Sequence, residues 1–321
     1  MAVATEIKEM RAVYTEALID LAKEDSRIVV LEADLMKATS TGSFGSVFPE
    51  RTFNVGVAEA NMIGVAAGLS AKGYIPFPAT FCCFASRRAF DQFFISANYA
   101  RLSVKLVGTD PGVSAAFNGG THMSFEDIGL MRTIPKLVIV EPSDPVSLKA
   151  LVREVARQEG CAYLRLHRKP IAPLYSENEP FQIGKGKVLR EGQDGVIIAL
   201  GAILVPEALK AANALEKEGV SVGVIDILTV KPLDSSLVLE WAERTGAVVT
   251  AENHQIRGGL GSAVAEVLAE HSGAVLRRVG VEDEFGEVGT QEYLQQRFGL
   301  TAERIVQAMK EAILQARRKK T

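Results

Sequence analysis

The first group in this chain placed to handle a proton is a glutamate at the mouth of a helix. Residues 54–69 read NVGVAEANMIGVAAGL: a turn at Gly56-Val57-Ala58, then a helix with Met62, Val65, Ala66 and Leu69 at i, i+3, i+4 and i+7. Glu59 falls in its first turn, beside the positive end of the helix dipole, which favours the ionised carboxylate. Acids are also enriched there for structural reasons alone. Gly64, Ala67 and Gly68 keep the other faces small, so the helix is expected to be covered on most sides. In residues 73–94, Phe81 and Phe84 open a helix just past an apolar strand, 75–79. Side chains there either enter the ligand crevice of an open α/β sheet or join the core. His122 lies in a glycine-rich turn away from any apolar period, and its imidazole suits proton relay near neutral pH. Asp110 and Asn118 precede it in a long loop, 108–123.

The elements that must carry these groups alternate strand and helix. An amphipathic helix is expected over 6–24, with Met10, Tyr14, Leu18 and Leu21 on one face. Strands follow at 27–31, 52–54, 75–79, 104–107, 137–140 and 162–166, with helices at 127–131 and 145–158 and a Ser/Thr/Gly-rich loop at 38–46. Each strand is a short apolar run rather than an in/out alternation, the mark of a parallel sheet covered on both faces. Residues 167–186 hold three of the 12 prolines and no helical period, so the domain boundary is placed there. Beyond it, strands are expected at 195–200, 221–226, 247–251 and 275–279, with helices at 206–218, 235–244, 261–271, 290–298 and 302–317. The expected fold is α/β, with two doubly wound domains: 1–172, a linker 173–186, and 187–321.

Length and composition narrow the class. The chain has 321 residues, 47% hydrophobic and 23% charged, ordinary for a soluble protein with two cores. A net charge of −3 argues against a nucleic-acid partner. The three cysteines, two of them adjacent at Cys82-Cys83, form neither a disulfide framework nor a metal site, and a reducing cytoplasm is the expected setting. Neither a signal peptide nor an apolar run of membrane-spanning length, about 20 residues, is expected. The basic run Arg317-Arg318-Lys319-Lys320 complements the dipole of the last helix. Gly259 and Gly261 half-match G-x-G-x-x-G, but Val264 stands where the third glycine belongs.

Together the two stretches resemble the pyrimidine-binding domain of transketolase-type thiamine diphosphate enzymes. The family pattern G-(I/V)-x-E-x-x-M-x-x-x-A-x-G-(I/L) is matched by Gly56, Glu59, Met62, Ala66, Gly68 and Leu69, and T-F-x-x-F by Thr80, Phe81 and Phe84. The second half resembles the transketolase C-terminal domain, including Glu252-Asn253-His254-Gln255 before Gly258-Gly259-Leu260-Gly261. The resemblance implies that Glu59 hydrogen-bonds N1′ of the aminopyrimidine, holding and sharing its proton, and that Phe84 stacks on the ring, supported by Phe81. Asp34 is assigned to the same cofactor pocket. His122 would contact the donor sugar's oxygens. Glu126-Asp127, Arg132, Ile134-Pro135 and Pro142-Ser143-Asp144 continue the transketolase pattern. Arg11 and Arg168 match positions that grip a sugar phosphate, and Arg87 adds a further cation at a family aromatic position. Asp110 stands where the family usually has histidine and Asn118 where it often has aspartate, so the sugar itself stays open.

In the family, the diphosphate and its Mg2+ are held by a Gly-Asp-Gly and a downstream Asn in another domain. That pairing does not occur here; Asp194-Gly195 lacks the first glycine and runs into a strand. The chain is therefore expected to be the C-terminal subunit of a split transketolase, joined in an α2β2 assembly by an N-terminal subunit that binds Mg2+ and the diphosphate. No metal site is expected on this chain. Three other readings stand beside it: the β subunit of a 2-oxo acid dehydrogenase decarboxylating component, a specialised ketol or aldehyde transfer on an unusual sugar, and a non-catalytic assembly subunit.

Overall fold

The computed structural model describes residues 8–320. Twelve strands fall within this range: β1 (Ile28–Glu32), β2 (Thr52–Asn54), β3 (Ile75–Phe81), β4 (Lys105–Thr109), β5 (Val138–Val140), β6 (Ala162–Leu166), β7 (Lys187–Arg190), β8 (Gly195–Ala199), β9 (Val222–Asp226), β10 (Thr229–Lys231), β11 (Ala247–Gln255) and β12 (Val275–Val281). They form two sheets, one in the order β10-β5-β6-β4-β3-β1-β2 and one in the order β12-β11-β8-β9-β7. Each sheet is parallel apart from one antiparallel edge, β10 on β5 and β7 on β9. Strands β1, β3, β4, β5 and β6 are buried along their whole length. That is why their sequences read as largely apolar runs without an in/out alternation.

Two edge strands escape the sequence reading. β7 and β10 have four and three residues, too short to show a period. β10 also leaves its own half of the chain and completes the first sheet. The segment 38–46, expected as a loop, is largely two short helices, Met36–Thr39 and Gly42–Val47, separated by Ser40 at a left-handed φ of 66°. Buried Thr39, Thr41 and Phe44 pin it despite its polar composition. Phe81 ends β3 rather than opening a helix; the helix is Cys82–Arg87. The helix expected from Pro206 starts at Gly201 and runs through the proline. Of the expected first helix, residues 6 and 7 lie outside the described range; within it the helix is Met10–Glu24.

β3 carries two prolines in mid-sheet, which a central strand ordinarily rejects. Its pairing with β4 begins only at Ala79, which leaves Pro76 and Pro78 in the stretch without a β4 partner. The helix Pro145–Arg157 is fixed by a capping box between Asp144 and Ser147, a contribution of about 1 kcal/mol. The two halves share their cores. Val113, Ala115, Met123 and Phe125 pack with Ile197, Leu204 and Phe298 of the second half, so the second half clasps the segment that carries His122.

Candidate active site

Five adjacent parallel strands, β6-β4-β3-β1-β2, end at one edge of the first sheet, and the candidate groups follow those ends. Arg168 comes after β6, Asp110 after β4, Phe84 after β3, Asp34 after β1 and Glu59 after β2. This carboxyl edge is where open α/β sheets bind ligands.

Glu59 opens the helix Glu59–Ala71 and is only 5% exposed. Its Oε1 accepts a hydrogen bond of 2.9 Å from Nη1 of Arg88, and the same guanidinium lies 4.0 Å over the ring of Phe84. Phe81 and Phe84 stand 5.8 Å apart, and the His122 ring meets both edge-on, at 6.1 and 5.3 Å. Glu59, Phe81, Phe84 and His122 therefore form one cluster. Arg87 donates to the Thr121 carbonyl at 3.0 Å and reaches Glu126 at 3.4 Å, tethering the His122 turn. Burial raises the Glu126 carboxyl, and Arg87 works against it.

Arg11, Arg168 and Asp34 form a second group. They line a cavity of about 340 Å3 with Leu35, Lys37 and Ala38. Arg11 is held by Glu9 at 2.7 Å and by the Ala38 carbonyl at 2.8 Å. The resemblance assigns Asp34 to the cofactor, but the structure seats it with the arginines; its backbone N–H donates to Asn54 Oδ1. The same oxygen accepts from Gly56 N–H and so ties the cavity wall to the turn before Glu59. Asp110 is 1% exposed and faces Arg168 at 3.4 Å. Burial pushes its carboxyl upward while Arg168 pulls it down, and the net shift is upward. Asn118 is exposed at the end of the 3-10 stretch Gly112–Asn118, whereas Asp110 is buried.

Sequence reasoning missed two groups. Arg88 had a usable signal: it follows Phe84 at i+4, one turn further along the same helical stretch. Arg165 had none. It is fully buried, donating to Asp127 at 2.8 and 3.2 Å, to Glu141 at 2.9 Å and to the Asn253 carbonyl at 2.7 Å, while Tyr163 also donates to Asp127. Asn253 in turn accepts from Val113 N–H and donates to the Pro111 carbonyl. A Cβ on Gly112 would collide with Asn253. The Glu252-Asn253-His254 segment thus braces the loop that bears Asp110 and His122. Glu252 accepts from Leu260 and Gly261 N–H, both at 2.7 Å, and His254 Nε2 from Gly129 N–H at 3.3 Å.

The pyrimidine half of thiamine diphosphate fits these residues. A planar nitrogenous group, the Arg88 guanidinium, already rests on Phe84 and donates to Glu59, so a flat nitrogen heterocycle finds both a stacking face and a carboxyl here. Arg88, whose side chain is 53% exposed, has room to leave. A carboxyl at a helix mouth beside a stacking phenylalanine, at the carboxyl edge of a parallel sheet, is the arrangement of a thiamine enzyme's pyrimidine-binding domain.

Comparison with known proteins agrees. Residues 7–172 match the transketolase pyrimidine-binding domain and residues 184–305 the transketolase C-terminal domain. The 6-deoxy-6-sulfo-D-fructose transketolase subunit SqwH of Clostridium sp. (strain MSTE9) is 52% identical over 94% of both chains. A solved structure described as a split-gene transketolase, an inactive β4 tetramer, is 45% identical with a TM-score of 0.89, covering 95% of this chain and 98% of that one. The transketolase of Rattus norvegicus is 35% identical over 94% of this chain but only 48% of its own length, so the chain spans about half of such single-chain relatives. The chain belongs to the transketolase family. It is the C-terminal subunit of a split, thiamine diphosphate-dependent transketolase.

Proposed function

We propose that Glu59, Phe81 and Phe84 hold the aminopyrimidine of thiamine diphosphate, and that this chain, joined to an N-terminal subunit, transfers a two-carbon ketol unit between sugars with anionic tails. The observation that carries this reading is Arg88, hydrogen-bonded to Glu59 and stacked on Phe84 where the aminopyrimidine would lie. When bound, the cofactor supplies a nucleophilic carbon for the ketol unit. The Glu59 carboxyl holds the proton at N1′, in a pocket where a positioned acid–base group contributes about 10²–10⁴-fold. Phe84 fixes the ring plane without competing for its hydrogen bonds. His122, beside Phe84, donates to the oxygens of the ketol unit, and Arg11 and Arg168 hold the tail. The tail is a phosphate in the expectation from the family; the sulfo-sugar in the name of the Clostridium relative extends it to anions in general.

The partner would bring the diphosphate site and Mg2+, in a cytoplasmic α2β2 assembly. Three observations support a partner. Gly64 and Gly68, expected to be covered, face outward, and a Cβ added at either would meet nothing within 4 Å. Phe117, Phe285 and Val288 are 71%, 98% and 65% exposed around the His122 turn, where Gly120 meets Gly286, and apolar clusters of this kind mark interfaces. The split-gene relative is described as an inactive β4 tetramer, which supports self-association of this chain when alone. Domains at 1–172 and 187–321, joined by 173–186, belong to the same proposal. Among the described residues no helix is long and apolar enough to cross a membrane.

The test is to purify the chain from its native lysate and assay the eluate for ketol transfer with thiamine diphosphate and Mg2+. Co-elution of a Gly-Asp-Gly-bearing subunit and cofactor-dependent transfer are expected. A well-behaved monomer with no such partner and no transfer sinks the proposal.

A further inference from the structure

We propose that Asp110 makes the arginine cavity select a substrate tail carrying one negative charge, of the sulfonate kind, over a phosphate monoester. The inference rests on the ketol-transfer reading and concerns the tail alone.

Two features mark Asp110 as more than scaffold. It is almost fully buried yet one oxygen, Oδ2, has no hydrogen-bond partner, a cost the fold does not need. It also holds a left-handed backbone at φ 56°, and strain of this sort gathers at functional positions. Its other oxygen faces Arg168, and Arg11 lies close enough for its charge to pull on the same carboxyl.

The charge balance of the cavity gives the consequence. Its cations are Arg11, Lys37 and Arg168. Against them stand Glu9 on Arg11, Asp34 in the wall and Asp110 on Arg168. Three positive groups meet three negative ones, so the cavity offers directed N–H donors without a surplus of charge. A sulfonate carries a single charge across the physiological range. A phosphate monoester carries about −1.5 to −2 at neutral pH, with a second pKa of about 6. Asp110 does not line the cavity but stands behind Arg168, and from there its carboxylate repels the second charge at low effective dielectric. Guanidinium forks suit either group equally in geometry, so the discrimination lies in charge.

Other groups that titrate near the cavity need separating. Glu32, at the end of β1, is pushed by burial to about 7 and held by Thr39 and Thr41. His167, next to Arg168, is driven by burial to about 3 and stays neutral above that. A charge that changes near the cavity acts more on the dianion than on the sulfonate, so the Asp110→Asn complex, which keeps Glu32 and His167, separates their titrations from the effect of Asp110.

The experiment uses the complex with its partner, thiamine diphosphate and Mg2+. It measures kcat/KM for fructose 6-phosphate and for 6-deoxy-6-sulfofructose between about pH 5 and about pH 8, bracketing the phosphate's second ionisation. Hydroxypyruvate serves as a donor without a tail. The expected result is a sulfonate-to-phosphate ratio that climbs about tenfold as the phosphate gains its second charge, and an Asp110→Asn complex in which the ratio at the top of the range drops about as far. Asparagine tolerates the left-handed backbone, so this variant keeps the conformation, and the wild-type ratio stands as a test even without it. A ratio that is flat or falls with pH in an enzyme that turns over hydroxypyruvate overturns the role of Asp110 and leaves the ketol-transfer reading intact. No turnover of hydroxypyruvate or of either sugar takes down both.

Discussion

Arg165 and Arg88 each face a carboxylate, and one pair is sealed while the other is open. Arg165 and its partners Asp127 and Glu141 have side-chain exposures of 0, 0 and 4%, and the guanidinium meets them with several hydrogen bonds in addition to a backbone carbonyl. Arg88 meets Glu59 with one hydrogen bond from a half-exposed side chain. A buried ion pair repays its desolvation only when its partners are complete, and Arg165 has them. The Arg88 pair is incomplete, and so is the Arg168–Asp110 pair beside the arginine cavity, where one Asp110 oxygen is unpartnered. Closed polar networks hold this molecule together; open ones mark where it meets something else.

Breaking the open side should act on chemistry rather than stability. Glu59→Gln in the assembled complex is expected to lower turnover by about 10²–10⁴-fold while leaving co-purification with the partner intact. Steady-state kinetics beside size-exclusion chromatography read both. If turnover survives at near wild-type levels, Glu59 is not the proton-holding group.

Breaking the closed side should do the reverse. Arg165→Met leaves Asp127 and Glu141 buried without their cation, a loss of about 3–5 kcal/mol read from the urea midpoint. Arg165 shifts Asp127 downward although burial works to raise it, so the variant should also soften at neutral pH, where the orphaned carboxylates are charged. A fall below about 1 kcal/mol would mean that the brace contributes little.

The closed region also has a pH signature. Burial depresses His254 from 6.5 to about 4, so between these values the unfolded chain binds a proton that the folded one refuses. Stability is then complete above the unfolded value and is lost as pH falls toward 4, on the order of 3 kcal/mol in all. Glu252, raised by burial from 4.5 to about 7, acts in the opposite sense: its contribution is present at low pH and lost as pH rises through 7. His254→Asn should remove the His254 share of the acid-side slope and leave the shares of His167 and Glu252, a change that chemical denaturation at a series of pH values can measure.

The sequence made these regions legible to different degrees. Glu59, Phe81, Phe84 and His122 were visible because each sits in a local pattern, and the parallel sheet because its buried strands are largely apolar runs. Arg165 looked like one polar residue in the strand Ala162–Leu166. Its partners come from residues 127, 141 and 253, and no local spacing signals a contact across such distances. β10 was hidden for a similar reason: three residues joining the sheet of the other half leave no periodic trace. Asp34 was readable as a site residue, but which neighbours it would meet depended on how the chain folds between β1 and β2.

The smallest expected effect probes the open pair most directly. Arg88 holds Glu59 and Phe84, so on the proposed reading the incoming pyrimidine displaces it, and the apparent affinity for thiamine diphosphate is lowered by whatever that displacement costs. An ion pair this exposed contributes at most about 1 kcal/mol, and its stacking on Phe84 adds about 0.5–1 kcal/mol. Arg88→Ala should therefore tighten cofactor binding by about two- to thirtyfold in the assembled complex. Quenching of protein fluorescence on titration with thiamine diphosphate can measure the change. Arg88→Lys keeps the charge but loses the flat face, so it should fall between the two. Weaker binding in Arg88→Ala would show instead that Arg88 stays and contacts the cofactor, and the pocket would then close over the pyrimidine rather than exchange one planar group for another.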